Sequence, residues 1–245
     1  FQAEDGIRDP PYSLVGSEMC IRDRNICVYL NNCMPDNRAC QALNKQLCLL
    51  NMNKRKYTKT RRAEKQNRTR EKIVEATVAL HEKLGPANTS IKAIAEKAGV
   101  QRLTVYRHFP DDASLFQACT SHYLGQHPPP NMADWAGFQD ASERSHAALL
   151  AFYRYYRSTE KMWSVAYRDI DRVKALQAPM GQFQAYLDQV RDDLLASWNL
   201  KQTDRKSLAI SLRHCLRFTT WASLKNENLS DKKIVELVMG WVACS

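Results

Sequence analysis

The sequence predicts an all-α protein, with an N-terminal three-helix domain built around a helix-turn-helix and a larger helical domain after it. Three observations predict this class. Apolar residues recur at three- and four-residue spacing through most of the chain after residue 64. No stretch of useful length alternates apolar and polar residues as a half-buried strand would. Helix punctuation falls between the periodic segments, at Gly85-Pro86, Gly99, Pro110-Asp111-Asp112 and Pro128-Pro129-Pro130.

In chain order, a first helix is expected from about Lys65 to Leu84, with Ile73, Thr77, Leu80 and Leu84 as its apolar stripe. Gly85-Pro86 stops it. Thr89 or Ser90 caps the second helix, whose inner side is Ile91, Ile94, Ala95 and Ala98. Gly99 closes that helix because it tolerates positive φ, and Val100 can fill the angle that follows. The third helix is short. At 100° per residue Val105 and Phe109 share one side, assigned to the core, while Leu103 and Arg107 lie opposite, flanked by Thr104 and Tyr106. A fourth helix carries Leu115, Phe116, Cys119 and Tyr123, and the three prolines end it.

Beyond the prolines the periodicity predicts one helix from about Asp140 to Ser158 and another around Met162–Tyr167. Pro179 is expected to interrupt the chain before a helix holding Phe183, Tyr186, Leu187, Val190, Leu194 and Trp198. One helix is expected over about 204–225, with Leu208, Leu212, Cys215, Thr219 and Ala222 on a stripe. A last helix over 230–244 is capped by Ser230 and stapled by Leu229 and Ile234.

Gln101 to His108 rises about 12 Å, close to the width of a DNA major groove. Its outer side offers an arginine, a hydroxyl, a phenol and an apolar side chain. Residues Ile91–Pro110, IKAIAEKAGVQRLTVYRHFP, resemble the DNA-binding domain of TetR-type (tetracycline-repressor-like) transcriptional regulators. The matching residues are Thr89-Ser90, Ile94-Ala95, Ala98-Gly99-Val100, Thr104, Tyr106 and His108-Phe109, with Leu115 after the turn. The resemblance implies that Thr104, Tyr106 and His108 contact phosphate and sugar. It implies that Gln101, Arg102 and Leu103 face bases, that Arg107 serves either role, and that Thr89 and Ser90 meet the backbone. Two positions depart from the family pattern. Asp112 stands where a phosphate-binding lysine is usual, and its charge would repel DNA unless turned away to cap the next helix. Leu103 stands where a small residue is common, which implies an altered base preference.

Charge agrees with a polyanionic partner. Met52 to Lys72 holds ten Lys/Arg against Glu64 and Glu71, and residues 52–64 are read as a basic arm that follows phosphates or enters a minor groove. Residues 1–51 differ, with five Lys/Arg and six Asp/Glu, against 31 and 20 in residues 52–245. Ala3–Arg24 resembles translated sequencing-adapter read-through. Residues 1–51 are therefore read as a disordered, non-native leader, with Met52 as the start. Five of the eight cysteines (Cys20, Cys27, Cys33, Cys40, Cys48) fall there, without Cys-x-x-Cys spacing, so no metal site is expected. Cys119, Cys215 and Cys244 read as buried small residues in a reducing, cytoplasmic protein.

The domains expected are thus 65–127 for DNA binding and 128–245 for ligand binding and dimerisation. The resemblance implies a homodimer through the helices at about 204–225 and 230–244, on the pattern Leu208–Trp221–Leu224 and Ser230–Trp241, reading a palindromic operator in double-stranded DNA. It implies an unknown small-molecule inducer in the aromatic middle region, where Tyr153, Trp163 and Tyr167 are the candidates. Arg168, Asp169, Asp171 and Arg172 are read as a solvated salt-bridge cluster. The function expected is a ligand-responsive repressor. The alternative is a helical dimerisation or ligand-binding module with weakened DNA binding, for which Asp112 speaks. An enzyme is not expected: the six histidines are scattered, and no Gly-rich phosphate loop, nucleophile elbow or cofactor motif occurs. No apolar run is long enough for a membrane span.

Overall fold

The computed structural model describes residues 37–199 and 201–243, with side chains from residue 60 onward except at 202 and 203. Among the described residues all regular structure is helical, nine α-helices and two short 3-10 turns. The chain divides into two units, residues 1–66 and 67–245. Helix α1 (Asn37–Leu84) spans the division. It begins well before Lys65, so residues 37–51, read from sequence as part of a disordered leader, are helical; residues 1–36 lie outside the description. Neither glycine nor proline occurs between Asn37 and Leu84. Ala39, Leu43, Leu47 and Leu50 recur there at four- and three-residue spacing, a helical period that the reading of these residues as a leader set aside.

The next elements are a 3-10 turn (Pro86–Asn88), α2 (Ile91–Ala98), α3 (Arg102–His108) and α4 (Asp112–Gln126). Ile73 and Val74 of α1, Ile94 and Ala95 of α2, Val105, Phe109, and Leu115 and Cys119 of α4 form one small core. Leu84, expected on the buried stripe, is exposed at the end of α1, and His81 is buried instead.

The larger core belongs to α5 (Ala141–Asp169), α6 (Lys174–Ser197), α7 (Gln202–Cys215), α8 (Phe218–Lys225) and α9 (Asp231–Ala243). α5 is one helix of 29 residues, where two were expected. Ser158 and Thr159 mark the anticipated gap, but both hydroxyls donate to the Tyr155 carbonyl, at 2.8 and 2.6 Å, and so are satisfied within the helix. Pro179 lies inside α6 rather than before it. Its ring leaves the Ala175 carbonyl without a helical donor, a loss confined to the helix's opening turns.

The helix expected over 204–225 is two, broken at Leu216-Arg217. Tyr153 Oη donates to the Cys215 carbonyl at 2.8 Å and Tyr156 Oη to the Leu216 carbonyl at 2.7 Å. Thr220 Oγ1 takes the His214 carbonyl at 2.7 Å. Three hydroxyls thus satisfy carbonyls that a continuous helix would have used itself. Thr219, expected on the stripe, is exposed, whereas Trp221 is fully buried. At the start of α9, Ser230 caps as expected, its hydroxyl accepting from Lys233 N–H at 3.4 Å, and Ile234 is buried.

α4 packs on α6, and α9 on α5. Residues 67–245 form one compact unit.

Candidate functional site

The turn between α2 and α3 follows from three local interactions. The Ser90 hydroxyl accepts from Ala93 N–H at 3.2 Å and caps α2. Gly99 adopts φ 66°, ψ 37°, the left-handed conformation that favours glycine. Its N–H and that of Val100 (2.9 Å) both donate back to the Ala95 carbonyl region, closing the helix. Thr89 does not cap α2; its hydroxyl donates to the Gly85 carbonyl at 2.9 Å and ties the preceding 3-10 turn.

α3 is held from beneath. Val105 is fully buried and Phe109 is 3% exposed. The Arg70 guanidinium of α1 sits 4.7 Å from the Phe109 ring centroid, so a basic residue closes this core by a cation–π contact. Every other candidate on α3 faces away from the core to some degree. Gln101, Arg102, Leu103, Tyr106 and Arg107 are exposed, while Thr104 and His108 are half-buried. Leu103 at 57% and Tyr106 at 50% are the most exposed large apolar side chains of this region. Ser90 is exposed and Thr89 half-buried at the start of α2. The outer surface of α3 thus carries guanidinium, amide, phenol and aliphatic groups on a short rigid rod, a chemistry suited to phosphates and base edges.

Asp112 does not cap α4. Asp111 does, its carboxylate accepting from Ser114 N–H at 2.7 Å, which holds its pKa below the usual carboxylate range. Asp112 occupies the first position of α4, where the helix dipole favours an acid. There it lines a groove that also contains Thr89, Ile91, Arg172 and Lys174, so two cations share its surroundings.

A second feature lies where α1 and α4 meet α5 and α6. An apolar cavity of about 90 Å³ is bounded on one side by Val78, His81, Phe116, Cys119 and Tyr123. Met162, Trp163, Ala166, Met180 and Phe183 bound the other side. Of the three ligand candidates read from sequence, only Trp163 lines it. Tyr153 is fully buried in the larger core with its hydroxyl committed to Cys215. Tyr167 stacks on Phe218, with ring centroids 5.4 Å apart and planes 15° from parallel. His81 was missed. Burial drives its imidazole down to about 4, against a smaller upward pull from the Asp169 carboxylate.

Beside the cavity is a clamp that the sequence reading placed in solvent. Asp169 is fully buried. Its carboxylate accepts from Ala87 N–H at 3.0 Å and from Arg168, and the Arg168 bond is the main cause of its lowered pKa. Arg168 in turn donates to the Leu84 carbonyl at 2.9 Å. Gly85, with φ 87°, passes beneath; a Cβ there would stand 1.9 Å from an Arg168 nitrogen and 2.5 Å from an Asp169 oxygen. The end of α5 is thereby fastened to the link between α1 and α2.

Residues 73–119 match the family model of bacterial regulatory proteins of the tetR family, a span running from the core of α1 through α4. Residues 73–119 are thus similar to the TetR-family DNA-binding domain. The remainder of the fold agrees. A TetR-like transcriptional regulator from Rhodococcus sp. RHA1 superposes with a TM-score of 0.54 at 20% identity, over 71% of this chain and 93% of that one. A Clostridium perfringens protein assigned as a fatty acid metabolism regulator gives 0.52 at 15%, over 70% and 97%. A TetR-family regulator assigned in Syntrophomonas wolfei gives 0.50 at 17%, over 71% and 93%. No curated protein matches the chain in sequence. In TetR terms α2–α3 is the helix-turn-helix and α5–α9 the second helical part. Among the described residues no group of three His, Cys, Asp or Glu side chains could hold a metal, and no helix is long and apolar enough to cross a membrane.

Proposed function

We propose that the protein is a dimeric, ligand-responsive transcriptional repressor that reads a palindromic operator. The observation that carries the reading is α3, which seals Val105 and Phe109 beneath it while presenting Arg102, Leu103, Tyr106 and Arg107 to solvent. Arg102 and Gln101 are assigned to base edges, with Leu103 against a thymine methyl. Thr104, Tyr106, His108, Thr89 and Ser90 are assigned to the sugar-phosphate backbone, with Arg107 serving either role. The ten Lys/Arg between Met52 and Lys72 supply counter-charge. Asp112 shares a groove with Arg172 and Lys174, and its charge is the feature that favours the weakened alternative. The TetR-like regulators it resembles give no ground for proposing an enzyme, and a cytoplasmic location accords with a DNA partner.

Dimerisation is supported by exposed apolar residues at the end of the chain. Leu237 and Trp241 lie one turn apart on α9 and are 42% and 44% exposed, and Ile210 on α7 is 50% exposed. Leu208 and Trp221, which the sequence pattern also nominated, are internal and bind α7 and α8 to the core. A two-fold pair would place two α3 helices in successive major grooves about 34–36 Å apart.

A titration against the DNA flanking its coding sequence tests the reading. Two chains per site are expected, with a log–log salt slope of roughly −5 to −9 for six to ten phosphate contacts. One chain per site would refute the palindrome, and a slope near zero would refute the phosphate contacts. Arg102→Ala is expected to relax discrimination at one base pair by about 1–3 kcal/mol. Equal weakening on every sequence would instead make Arg102 a phosphate contact.

A further inference from the structure

We propose that the cavity between α1, α4, α5 and α6 binds a small uncharged molecule, one ring or a short chain in size, carrying a single hydroxyl or carbonyl that His81 holds. The inference rests on the reading of the protein as ligand-responsive, and it names the ligand class. No Lys, Arg, Asp or Glu lines the cavity, so nothing there would compensate a charged ligand for its lost hydration. The polar groups that do line it are held uncharged by burial: the Cys119 thiol is pushed up to about 12 and the Tyr123 phenol is raised as well.

His81 is 6% exposed, and none of the hydrogen bonds formed among the described residues engages its ring nitrogens. Its ring meets Phe116, with centroids 4.9 Å apart, and the Asp169 carboxylate acts on it through space. A neutral imidazole has one donor and one acceptor. A buried one without a partner favours a hydroxyl, which can serve either nitrogen, or a carbonyl, which serves the donor. Across the cavity, Trp163 supplies an apolar ring face, while its Nε1 is directed to the Tyr155 hydroxyl.

Size follows from the volume. About 90 Å³ is roughly the share of three liquid waters. A dry cavity of about 150 Å³ accepts benzene elsewhere. Met162 and Met180, unbranched and adaptable, can yield the difference. Phe116 and Phe183 supply faces for a ring.

Phenol, toluene and benzoate separate the terms of the proposal, since they share a ring and differ in a hydroxyl, a methyl and a charge. Calorimetric titration of the full chain at about pH 7.5, where phenol is uncharged, is expected to show saturable phenol binding. Toluene should bind roughly three- to tenfold more weakly, the worth of one hydrogen bond. Benzoate should bind roughly tenfold more weakly or worse. In His81→Phe the advantage of phenol over toluene should vanish while toluene still binds. Ala166→Leu, which narrows the cavity, should weaken both alike and serves if His81→Phe does not fold. Absence of saturable phenol binding, benzoate binding equal to phenol, or an unchanged phenol preference in His81→Phe would overturn the assignment. Operator binding by the unliganded protein is read separately. Its loss would sink the regulator reading and leave the cavity result standing, and the reverse holds.

Discussion

Phe109→Ala is expected to lower the unfolding free energy by about 3–5 kcal/mol, the range for emptying a buried aromatic site. Phe109 ends α3 and is the side chain on which that helix rests; it is 3% exposed and packs with Ile73, Val105 and Leu115. Its ring also receives the Arg70 guanidinium, so the truncation removes a cation–π partner besides leaving a void. Chemical denaturation measures the loss. Leu103→Ala is the comparison, because a side chain 57% exposed should change stability by about 0.5 kcal/mol or less while altering DNA binding. A Phe109→Ala protein within about 1 kcal/mol of the parent would mean that α3 is not anchored through this core.

The second large effect is a response to acid. In the unfolded chain the His81 imidazole titrates at 6.5, and in the folded protein at about 4. As pH falls, the unfolded state takes up the proton first, so protonation draws the equilibrium toward unfolding. The contribution of His81 is therefore complete above about 6.5, declines through the interval down to about 4, and is exhausted below it. The expected loss across that window is about 3 kcal/mol. Urea midpoints measured from pH 7 to pH 4 should show it as a steepening that His81→Phe lacks. Asp169, whose own pKa is depressed, adds a further loss at lower pH in both proteins. Parallel curves for the two proteins would show that the imidazole is solvated in the native state.

The features legible in the sequence are those that local spacing determines. Gly99, the Ile94-Ala95 pair and the Val105–Phe109 pair lie within a few residues of one another, and each has a single local use, so the residues alone reveal the helix-turn-helix. The upstream half of α1 is legible in part: Ala39, Leu43, Leu47 and Leu50 keep helical spacing, but the adapter-like residues before them led the whole of 1–51 to be set aside. The break at Leu216-Arg217 depends on Tyr153 and Tyr156, hydroxyl donors some sixty residues upstream. No local pattern encodes them. Asp169 reads as a surface acid among Arg168, Asp171 and Arg172 because its other partner, Ala87 N–H, lies 82 residues away. The aromatic candidates divide for the same reason: Trp163 reaches the cavity, whereas Tyr153 and Tyr167 spend their polar or stacking capacity within the second core. His81 does leave a signal. It stands four residues after Thr77 and eight after Ile73, on the buried side of α1, a place where a histidine needs a reason.

The clamp on Gly85 makes α5 a lever. At 1.5 Å per residue its 29 residues extend about 44 Å. Trp163 and Ala166, the parts of α5 that border the cavity, lie within two turns of the gripped end. Were α5 to pivot about its far end by a mere 5°, its tip would swing by roughly 4 Å, most of a helical turn. Because Arg168 and Asp169 hold both a carbonyl and an N–H of the Leu84–Ala87 link, the link would be dragged along rather than slipping past. Thr89 and Ser90, the first residues assigned to DNA, follow within three positions. A displacement of α5 at the cavity would thus arrive at α2 with little loss of amplitude, because Trp163 stands close to the gripped end.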